Sequence, residues 1–194
     1  GSKINRRHPP AGRDATLIER LEGAGAVLVG ALNMGEYAYD FTGENVHDGP
    51  SRNPHDPDRM TGGSSGGSGG AVAGGLVPLA LGSDTNGSIR VPSSFCGIFG
   101  LKPTYGRLSR ARSFPFVASF DHLGPFARNT RDLALAYDAM QGHDLDDPVC
   151  VDRPAEPVIP GLDRGIDGLR IAVAGGYFRR SEEHTSEVQS PYVI

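Results

Sequence analysis

The chain has 194 residues, of which 28 are glycine and 15 are proline, and its formal net charge is −4. The glycine and proline excess has no G-X-Y period, which excludes a collagen-like fibre, and the charge balance provides no basic field for nucleic acid. No apolar run approaches the roughly 18 residues that cross a bilayer, and the first residues carry no secretory signal. Cys96 and Cys150 do not make a disulfide scaffold. We therefore expect a soluble, cytoplasmic protein without a membrane or nucleic-acid partner.

The first third of the chain predicts a helix, a strand and a loop. Residues 14–21 have the apolar spacing of an amphipathic helix, with Asp14 as its N-cap and the following glycines as its end. Residues 26–30 form a short apolar run, which indicates a buried strand. Residues 41–60 are polar and rich in proline, which is typical of a surface loop. No helical i, i+4 ligand pair occurs there, so we expect no metal site from the candidates His47, His55, Asp56 and Asp58.

The rest of the chain continues this alternation, which favours an α/β architecture. Residues 130–140 predict a second amphipathic helix, capped by Thr130 and ending near Gly142. The other predicted segments are a buried strand at 77–81, a packed segment at 92–99, a connection rich in proline and acidic residues at 144–167 and a strand at 169–174.

Residues 61–75 are a glycine- and serine-rich block between apolar segments, which argues against a flexible linker. A phosphate-binding loop is excluded because the block lacks the required lysine, and a dinucleotide fingerprint fails because Val72 stands where a glycine is needed. The block also matches the G-x-S-x-G nucleophile elbow at Ser64 and at Ser68. An α/β-hydrolase that uses one of these serines with His122 or His143 as its base therefore remains an alternative.

A second serine turn follows the strand predicted at 77–81. Ser88 comes directly after Asn86 and Gly87, a pair that permits the positive φ needed to direct successive N–H groups at one point. A serine beside such donors has the two components of acyl transfer, a nucleophile and an oxyanion site. Asp84 and Arg90 are spaced to pair across this turn and fix its shape.

Three blocks of this sequence closely resemble the signature of the amidase signature family. They are G-G-S-S-G-G-S-G-G at 62–70, A-L-G-S-D-T-N-G-S-I-R-V-P at 80–92 and F-C-G-I-F-G-L-K-P-T at 95–104. The resemblance extends from residue 1 to about residue 177. It implies an α/β amidase signature fold, a mixed sheet flanked by helices and incomplete at both ends, with residues 1–179 as the central fragment of the domain.

The resemblance also implies roles for individual residues in amide hydrolysis, which needs no cofactor. Ser88 corresponds to the nucleophile that forms the acyl ester, and Ser64 to a cis-serine that relays protons between Ser88 and a lysine. The implied oxyanion donors are the N–H groups of Thr85, Asn86, Gly87 and Ser88, with Asp84 and Arg90 in support. The catalytic lysine is expected upstream of residue 1, and neither Lys3 nor Lys102 is assigned to that role.

Within the family, residues 31–39, 52–57 and 120–128 are most similar to hydrolases of biuret-type urea derivatives. The glutaminyl-tRNA amidotransferase A subunit is also similar. Gly35 departs from the pattern, where an acidic residue is expected, and Asn86 replaces a commoner glycine. The resemblance implies a small amide or urea-like substrate. The possible partners that it implies for the full-length protein are a second copy, in a homodimer, or a small accessory subunit.

Two further expectations concern the whole polypeptide. Residues 180–194 look like a translated sequencing-adapter read-through, which predicts a non-native tail. Without the upstream lysine the fragment is expected to be inactive, so a non-catalytic fragment or binding module is the alternative outside the enzymes. Cys96 stands among apolar residues and is expected to be a core thiol rather than a nucleophile.

Overall fold

The structure is a computed structural model that describes residues 1–172. By internal contacts the chain divides into two units, Gly1–Pro160 and Gly161–Ile194. Residues 162–172 form turns and irregular backbone. In chain order the elements are α1 (Thr16–Gly23), β1 (Glu44–Asn45), β2 (Gly49–Pro50), β3 (Arg52–Asn53), β4 (Asp56–Met60), α2 (Gly66–Ala73), β5 (Leu79–Asp84), α3 (Arg90–Cys96), β6 (Phe99–Gly100), β7 (His122–Ala127) and α4 (Thr130–Met140), with 3₁₀ turns at Asn5–Arg7, Glu36–Ala38 and Ile159–Gly161.

A three-stranded sheet organises the first unit, with β7 in the middle between β5 and β6. Asp84, the last residue of β5, pairs with His122, the first residue of β7. The turn that follows β5 and the segment that precedes β7 therefore meet at one end of the sheet. Every strand pair in residues 1–172 is antiparallel, so the parallel pairing that a mixed sheet requires is not among them.

Successive strand residues point to opposite faces of this sheet, and helices pack on both faces. Ala80 and Phe126 pack with Val72 of α2 and with Ile89. Leu79 and Leu81 of β5 contact the other cluster, which α1 and α4 form. The buried members of that second cluster are Leu17, Leu21, Leu108, Ala136 and Met140.

Glycines bring the helical layer of α2 and α3 close to the sheet. A β-carbon on Gly82 would stand 2.7 Å from Oγ of Ser65, just before α2. Similar β-carbons on Gly100 and Gly124 would stand 2.8 Å and 3.2 Å from the side chain of Ile89, just before α3. The sheet surface beneath the two helix starts is therefore backbone, with no room for larger residues.

Both predicted helices are present, but their N-caps differ from the prediction. α1 begins at Thr16 after Ala15, without a side-chain cap, so the prediction of Asp14 as the cap is wrong. The Thr16 hydroxyl instead donates to Asp144 at 2.6 Å. In α4, Asn129 is the cap, because its extended backbone allows its side chain to accept from the Asp132 N–H, and Thr130 is already helical.

The strand predicted at residues 26–30 is wrong. Val27 and Val29 are 81% and 75% exposed, and no described strand lies beside them. An apolar run forms a strand only when a neighbouring strand accepts its backbone hydrogen bonds. The predicted strand at 169–174 is not formed over residues 169–172, where Leu169 and Ile171 are exposed. Residues 173 and 174, and the boundary predicted at 179, lie outside the described residues.

The loop predicted at residues 41–60 contains two short antiparallel pairs, β1 with β2 and β3 with β4. Its histidines have other partners: Nε2 of His47 lies 2.9 Å from Glu36, and Nε2 of His55 lies 3.0 Å from the Cys96 carbonyl. No metal-binding group of side chains occurs in the part of the chain that the structure describes.

Candidate active site

Ser64 lies just before α2. The peptide bond between Gly63 and Ser64 is cis. The side chain of Ser64 is fully buried, and its Oγ has no hydrogen-bond partner among the described residues. The Ser64 carbonyl accepts from the N–H of Gly35 at 3.2 Å. A buried hydroxyl without a partner costs stability, which makes Ser64 a candidate for a role other than packing.

Small residues place this serine against its neighbours. α2 has glycine at four of its eight positions, a composition that disfavours an isolated helix. Within the fold the glycines allow close packing: β-carbons on Gly66 and Gly69 would stand 2.6 Å from Thr61 and 3.0 Å from Pro92. Tertiary packing therefore forms a helix that intrinsic propensity does not predict.

Ser88 lies in the turn between β5 and α3, and it is also buried. Gly87 has φ of +137°, a value that glycine adopts without strain. The N–H of Ser65 donates to the Ser88 carbonyl at 3.4 Å. The two serine segments, which are separated along the chain, are thus joined through the residue next to Ser64.

Asp84 holds the Ser88 turn together. Its fully buried carboxylate accepts the N–H of Gly87 at 2.7 Å and that of Ile89 at 3.1 Å, and it pairs with the Arg90 guanidinium at 2.9 Å. Burial raises the pKa of Asp84, but the hydrogen bonds from Arg90, Ile89 and Gly87 outweigh it, so its pKa lies below the usual value. The carboxylate therefore stays ionised and fixes the turn, in the pairing that the sequence predicts.

This bonding changes the expected set of oxyanion donors. The Gly87 N–H points to Asp84, so it is already engaged. The N–H groups of Thr85, Asn86 and Ser88 have no protein acceptor within residues 1–172. The Thr85 hydroxyl donates to the Asp121 carboxylate at 2.5 Å.

A cavity of about 590 Å³ opens beside this turn. Thr85 and Ser83 line it, whereas Ser64 and Ser88 do not. Its wall includes Phe114, whose ring lies 5.9 Å from that of Tyr37. Sequence reasoning missed the contribution of Asp121 to this region. The only signal was the F-D-H motif at 120–122, and nothing local in that motif points to a residue 36 positions earlier.

The two lysines of the chain are candidate bases for the serine hydroxyls. Lys3 is exposed, and Nζ of Lys102 donates to the Pro103 carbonyl at 3.1 Å. Neither amine is hydrogen-bonded to Ser64 or Ser88 in the described part of the chain. The geometry therefore gives neither lysine the role of a base for these serines.

The alternative pairing of a serine with a histidine is not formed. Ser68 donates its hydroxyl to the Leu81 carbonyl at 2.7 Å. Nδ1 of His122 contacts the carbonyls of Asp84 and Phe120, and Nδ1 of His143 lies 3.3 Å from Asp152. Among residues 1–172, no histidine nitrogen is bonded to a serine hydroxyl.

Comparison with known proteins identifies the family. A sequence profile of the Amidase family matches residues 1–190. The chain belongs to the amidase family. It is 65% identical over 179 residues to AtzE, the 1-carboxybiuret hydrolase subunit of Pseudomonas sp. (strain ADP), covering 92% of this chain and 39% of the relative. It is 48% identical over 159 residues to the glutamyl-tRNA(Gln) amidotransferase A subunit of Deinococcus radiodurans, covering 82% of this chain and 33% of that one.

Solved structures show that this amidase chain has the fold of the family. A chain from a vestigial complex related to the origin of an s-triazine catabolic enzyme matches with a TM-score of 0.90 at 65% identity, covering 92% of this chain and 39% of its own length. The glutamyl-tRNA(Gln) amidotransferase A subunit of Thermotoga maritima matches with a TM-score of 0.75 at 42% identity, covering 79% and 34%. The amidase chain spans about two fifths of the first relative's length. Among its described helices, none is long and apolar enough to cross a membrane.

Proposed function

We propose that this chain contributes the serine centre of an amidohydrolase that cleaves a C–N bond in a small amide or urea derivative. The observation that carries the proposal is the bond between the Ser65 N–H and the Ser88 carbonyl, which places Ser64, with its buried and unpartnered hydroxyl, against the Ser88 turn. The identity to a 1-carboxybiuret hydrolase subunit supports a urea-like substrate.

In the proposed reaction, Oγ of Ser88 attacks the amide carbonyl carbon. The Ser88 proton passes to Oγ of Ser64, whose own proton passes to a neutral lysine amine. The negative charge on the tetrahedral oxygen is stabilised by N–H groups among those of Thr85, Asn86 and Ser88, each worth roughly 3 kcal/mol. Reverse proton transfer releases the amine, and water then hydrolyses the acyl ester.

The lysine of this relay would lie upstream of residue 1. The absence of a hydrogen bond from Lys3 or Lys102 to either serine, within the described residues, supports this assignment. We also propose an accessory subunit for the full-length protein, because the relatives of this chain are named as subunits.

The test is a chimera in which this chain replaces the matching segment of the 65% identical relative. The parent chimera should hydrolyse the relative's substrate. Ser88→Ala should abolish turnover and fluorophosphonate labelling, and Ser64→Ala should lower turnover by about 10²-fold or more. Ser68→Ala is the matched control, because its hydroxyl is committed to the Leu81 carbonyl, and turnover should persist.

Each other outcome has a definite meaning. Labelling that survives Ser88→Ala but not Ser68→Ala would favour the α/β-hydrolase alternative. Turnover by the isolated chain at the rate of the chimera would make Lys3 or Lys102 the base. A folded but inactive parent chimera would leave only a non-catalytic module.

A further inference from the structure

The carboxylate of Asp121 joins two segments that are remote in sequence. Its Oδ1 accepts the Thr85 hydroxyl at 2.5 Å, in the turn that carries Ser88. The same carboxylate accepts the N–H groups of Phe116, at 2.8 Å, and Val117, at 2.9 Å. Asp121 therefore connects the Ser88 turn to residues 114–118, which we call the aromatic loop.

The base of the aromatic loop is held separately. Ala118 receives hydrogen bonds at its carbonyl from the Tyr105 hydroxyl, at 2.8 Å, and from the Arg110 guanidinium, at 2.5 Å. Arg110 also lies 5.2 Å from the Tyr105 ring centre. The loop thus has attachments other than Asp121, whereas Asp121 is the residue that bonds both to the Phe116 N–H and to the Thr85 hydroxyl.

The aromatic loop forms a wall of the 590 Å³ cavity. Phe114 and Phe116 line that cavity together with Thr85 and Asp121. Phe116 also contacts an earlier part of the chain: the ring centres of Tyr39 and Phe116 are 5.7 Å apart. One carboxylate therefore bonds both to the cavity wall and to the turn that bears the candidate oxyanion donors.

We propose that Asp121 is a positioning residue that couples the aromatic loop to the Thr85–Ser88 turn, so that the substrate wall and the oxyanion donors keep one fixed geometry. The proposal rests on the proposed function and adds to it the residue that aligns substrate with the oxyanion site. The orientation of the Asn86 N–H depends on the backbone of Thr85, which the bond to Asp121 restrains. Preorganised donors contribute to catalysis only when such restraints hold them in place.

The kinetic test uses the chimera described above. Thr85→Val removes only the hydroxyl. Asp121→Asn removes the charge and replaces one of the two acceptor oxygens with an N–H₂ donor, so the bonds from Thr85, Phe116 and Val117 cannot all be kept. Each should lower kcat by about 10- to 100-fold with KM changed less than about 3-fold. The double variant should be no slower than the slower single variant, because both remove one interaction. Thr85→Ser keeps the hydroxyl and should stay within about 3-fold of the parent.

Asp138 offers a matched control for a purely structural role. Its carboxylate accepts the N–H groups of Val158 and Ile159, at 2.9 Å and 3.1 Å, and so fixes a loop that does not line the cavity. Asp138→Asn should reduce thermal stability about as much as Asp121→Asn while leaving kcat unchanged. The proposal would be overturned if Asp138→Asn lowered kcat as much as Asp121→Asn. It would also be overturned if the kcat losses of Thr85→Val and Asp121→Asn multiplied in the double variant, or if Thr85→Val kept full activity.

A second measurement needs no turnover and uses the chain itself. The chain has no tryptophan, so Phe116→Trp places a single tryptophan on the aromatic loop, and its emission is the reporter. In that background Thr85→Val should shift the emission maximum and raise the reporter's mobility, while Thr85→Ser should not. An emission unchanged by Thr85→Val would overturn the coupling. A shift in the chain combined with an inactive parent chimera would uphold the coupling and reject the proposed function.

Discussion

The carboxylate of Asp40 occupies the space that a side chain at residue 35 would need. A β-carbon on Gly35 would overlap Oδ2 of Asp40. Oδ1 of Asp40 accepts the N–H groups of Thr42, at 2.5 Å, and Gly43, at 2.8 Å. The family pattern has an acidic residue at position 35. In this chain Gly35 stands there, and the carboxylate that lies against it, and also near Gly63, belongs to Asp40.

This overlap predicts a strong coupling between residues 35 and 40. Gly35→Ala should reduce the free energy of unfolding by about 1–3 kcal/mol, because the added methyl group displaces Asp40. The double change Gly35→Ala with Asp40→Gly should cost less than the sum of the two single changes. Urea unfolding followed by circular dichroism measures both. Gly30→Ala is the control, since nothing lies within 4 Å of a β-carbon there; additive costs would contradict the overlap.

The Asp84–Arg90 pair should contribute far more stability than an exposed pair of the same length. Arg90→Gln leaves a fully buried carboxylate without its cation, and we expect a loss of about 2 kcal/mol, below the range for fully buried pairs because Arg90 is 54% exposed. The control is Arg59→Gln, whose partner Asp56 also lies at 2.9 Å but at the surface. That change should cost less than about 1 kcal/mol. Equal losses in urea unfolding would show that the Asp84 turn does not depend on Arg90.

Acid should weaken the attachment of α1 through Asp144. Burial opposes its ionisation, but hydrogen bonds from Ser109, at 2.5 Å, and Thr16, at 2.6 Å, lower its pKa to about 2. A carboxyl whose folded pKa lies below its unfolded value stabilises the protein above about pH 4, and this contribution disappears as the pH falls toward 2. Asp144→Asn should therefore lower the free energy of unfolding at pH 7. Near pH 2–3 the unfolding free energies of this variant and the parent should differ much less.

The control for that experiment removes the same charge elsewhere. Asp14→Asn should be nearly neutral at both pH values, because Asp14 does not cap α1. Unfolding curves at several pH values measure the slope. An Asp144→Asn variant that keeps the parent's pH dependence below pH 4 would assign the acid sensitivity to other carboxylates.

The two thiols should be unreactive in the folded chain. Cys96 is fully buried, and burial raises its pKa to about 11. At pH 8 only about one thousandth of such a thiol is ionised, and the thiolate is the reactive form. Burial also raises the pKa of Cys150. A disulfide reagent should modify both thiols rapidly in urea and very slowly in buffer; fast modification of Cys96 in buffer would contradict its place in the core.

The sequence predicted the elements whose pattern is local. α1 and α4 follow from apolar residues at helical spacing, within about two residues at their ends, and β5 follows from an apolar run before a turn. β7 was missed because its sequence, H-L-G-P-F-A, contains glycine and proline, which disfavour a central strand. The missing N–H of Pro125 lies beyond the paired residues of β6, which face Phe126 and Ala127, and its carbonyl accepts from Leu101 at 3.0 Å.

Prediction of the site was limited in the same way. The turn at Ser88 and the Asp84–Arg90 pairing lie within seven residues and could be inferred from spacing. The bond from Thr85 to Asp121 depends on where folding places a residue 36 positions away. The bond from the Gly87 N–H to Asp84 is local, but spacing alone did not indicate which N–H groups of the turn the carboxylate would accept. Residues 26–30 show the converse error, since an apolar run indicates burial only when the fold supplies a partner strand.

The glycines of the sheet also limit how far the candidate site can be altered by substitution. Ser65 lies directly against Gly82, and Ile89 lies directly against Gly100 and Gly124. A larger residue at any of these three positions would therefore push a serine segment away from the sheet. Redesign has more freedom in the aromatic wall of the cavity, whereas these glycines limit the spacing between the serine segments and the sheet.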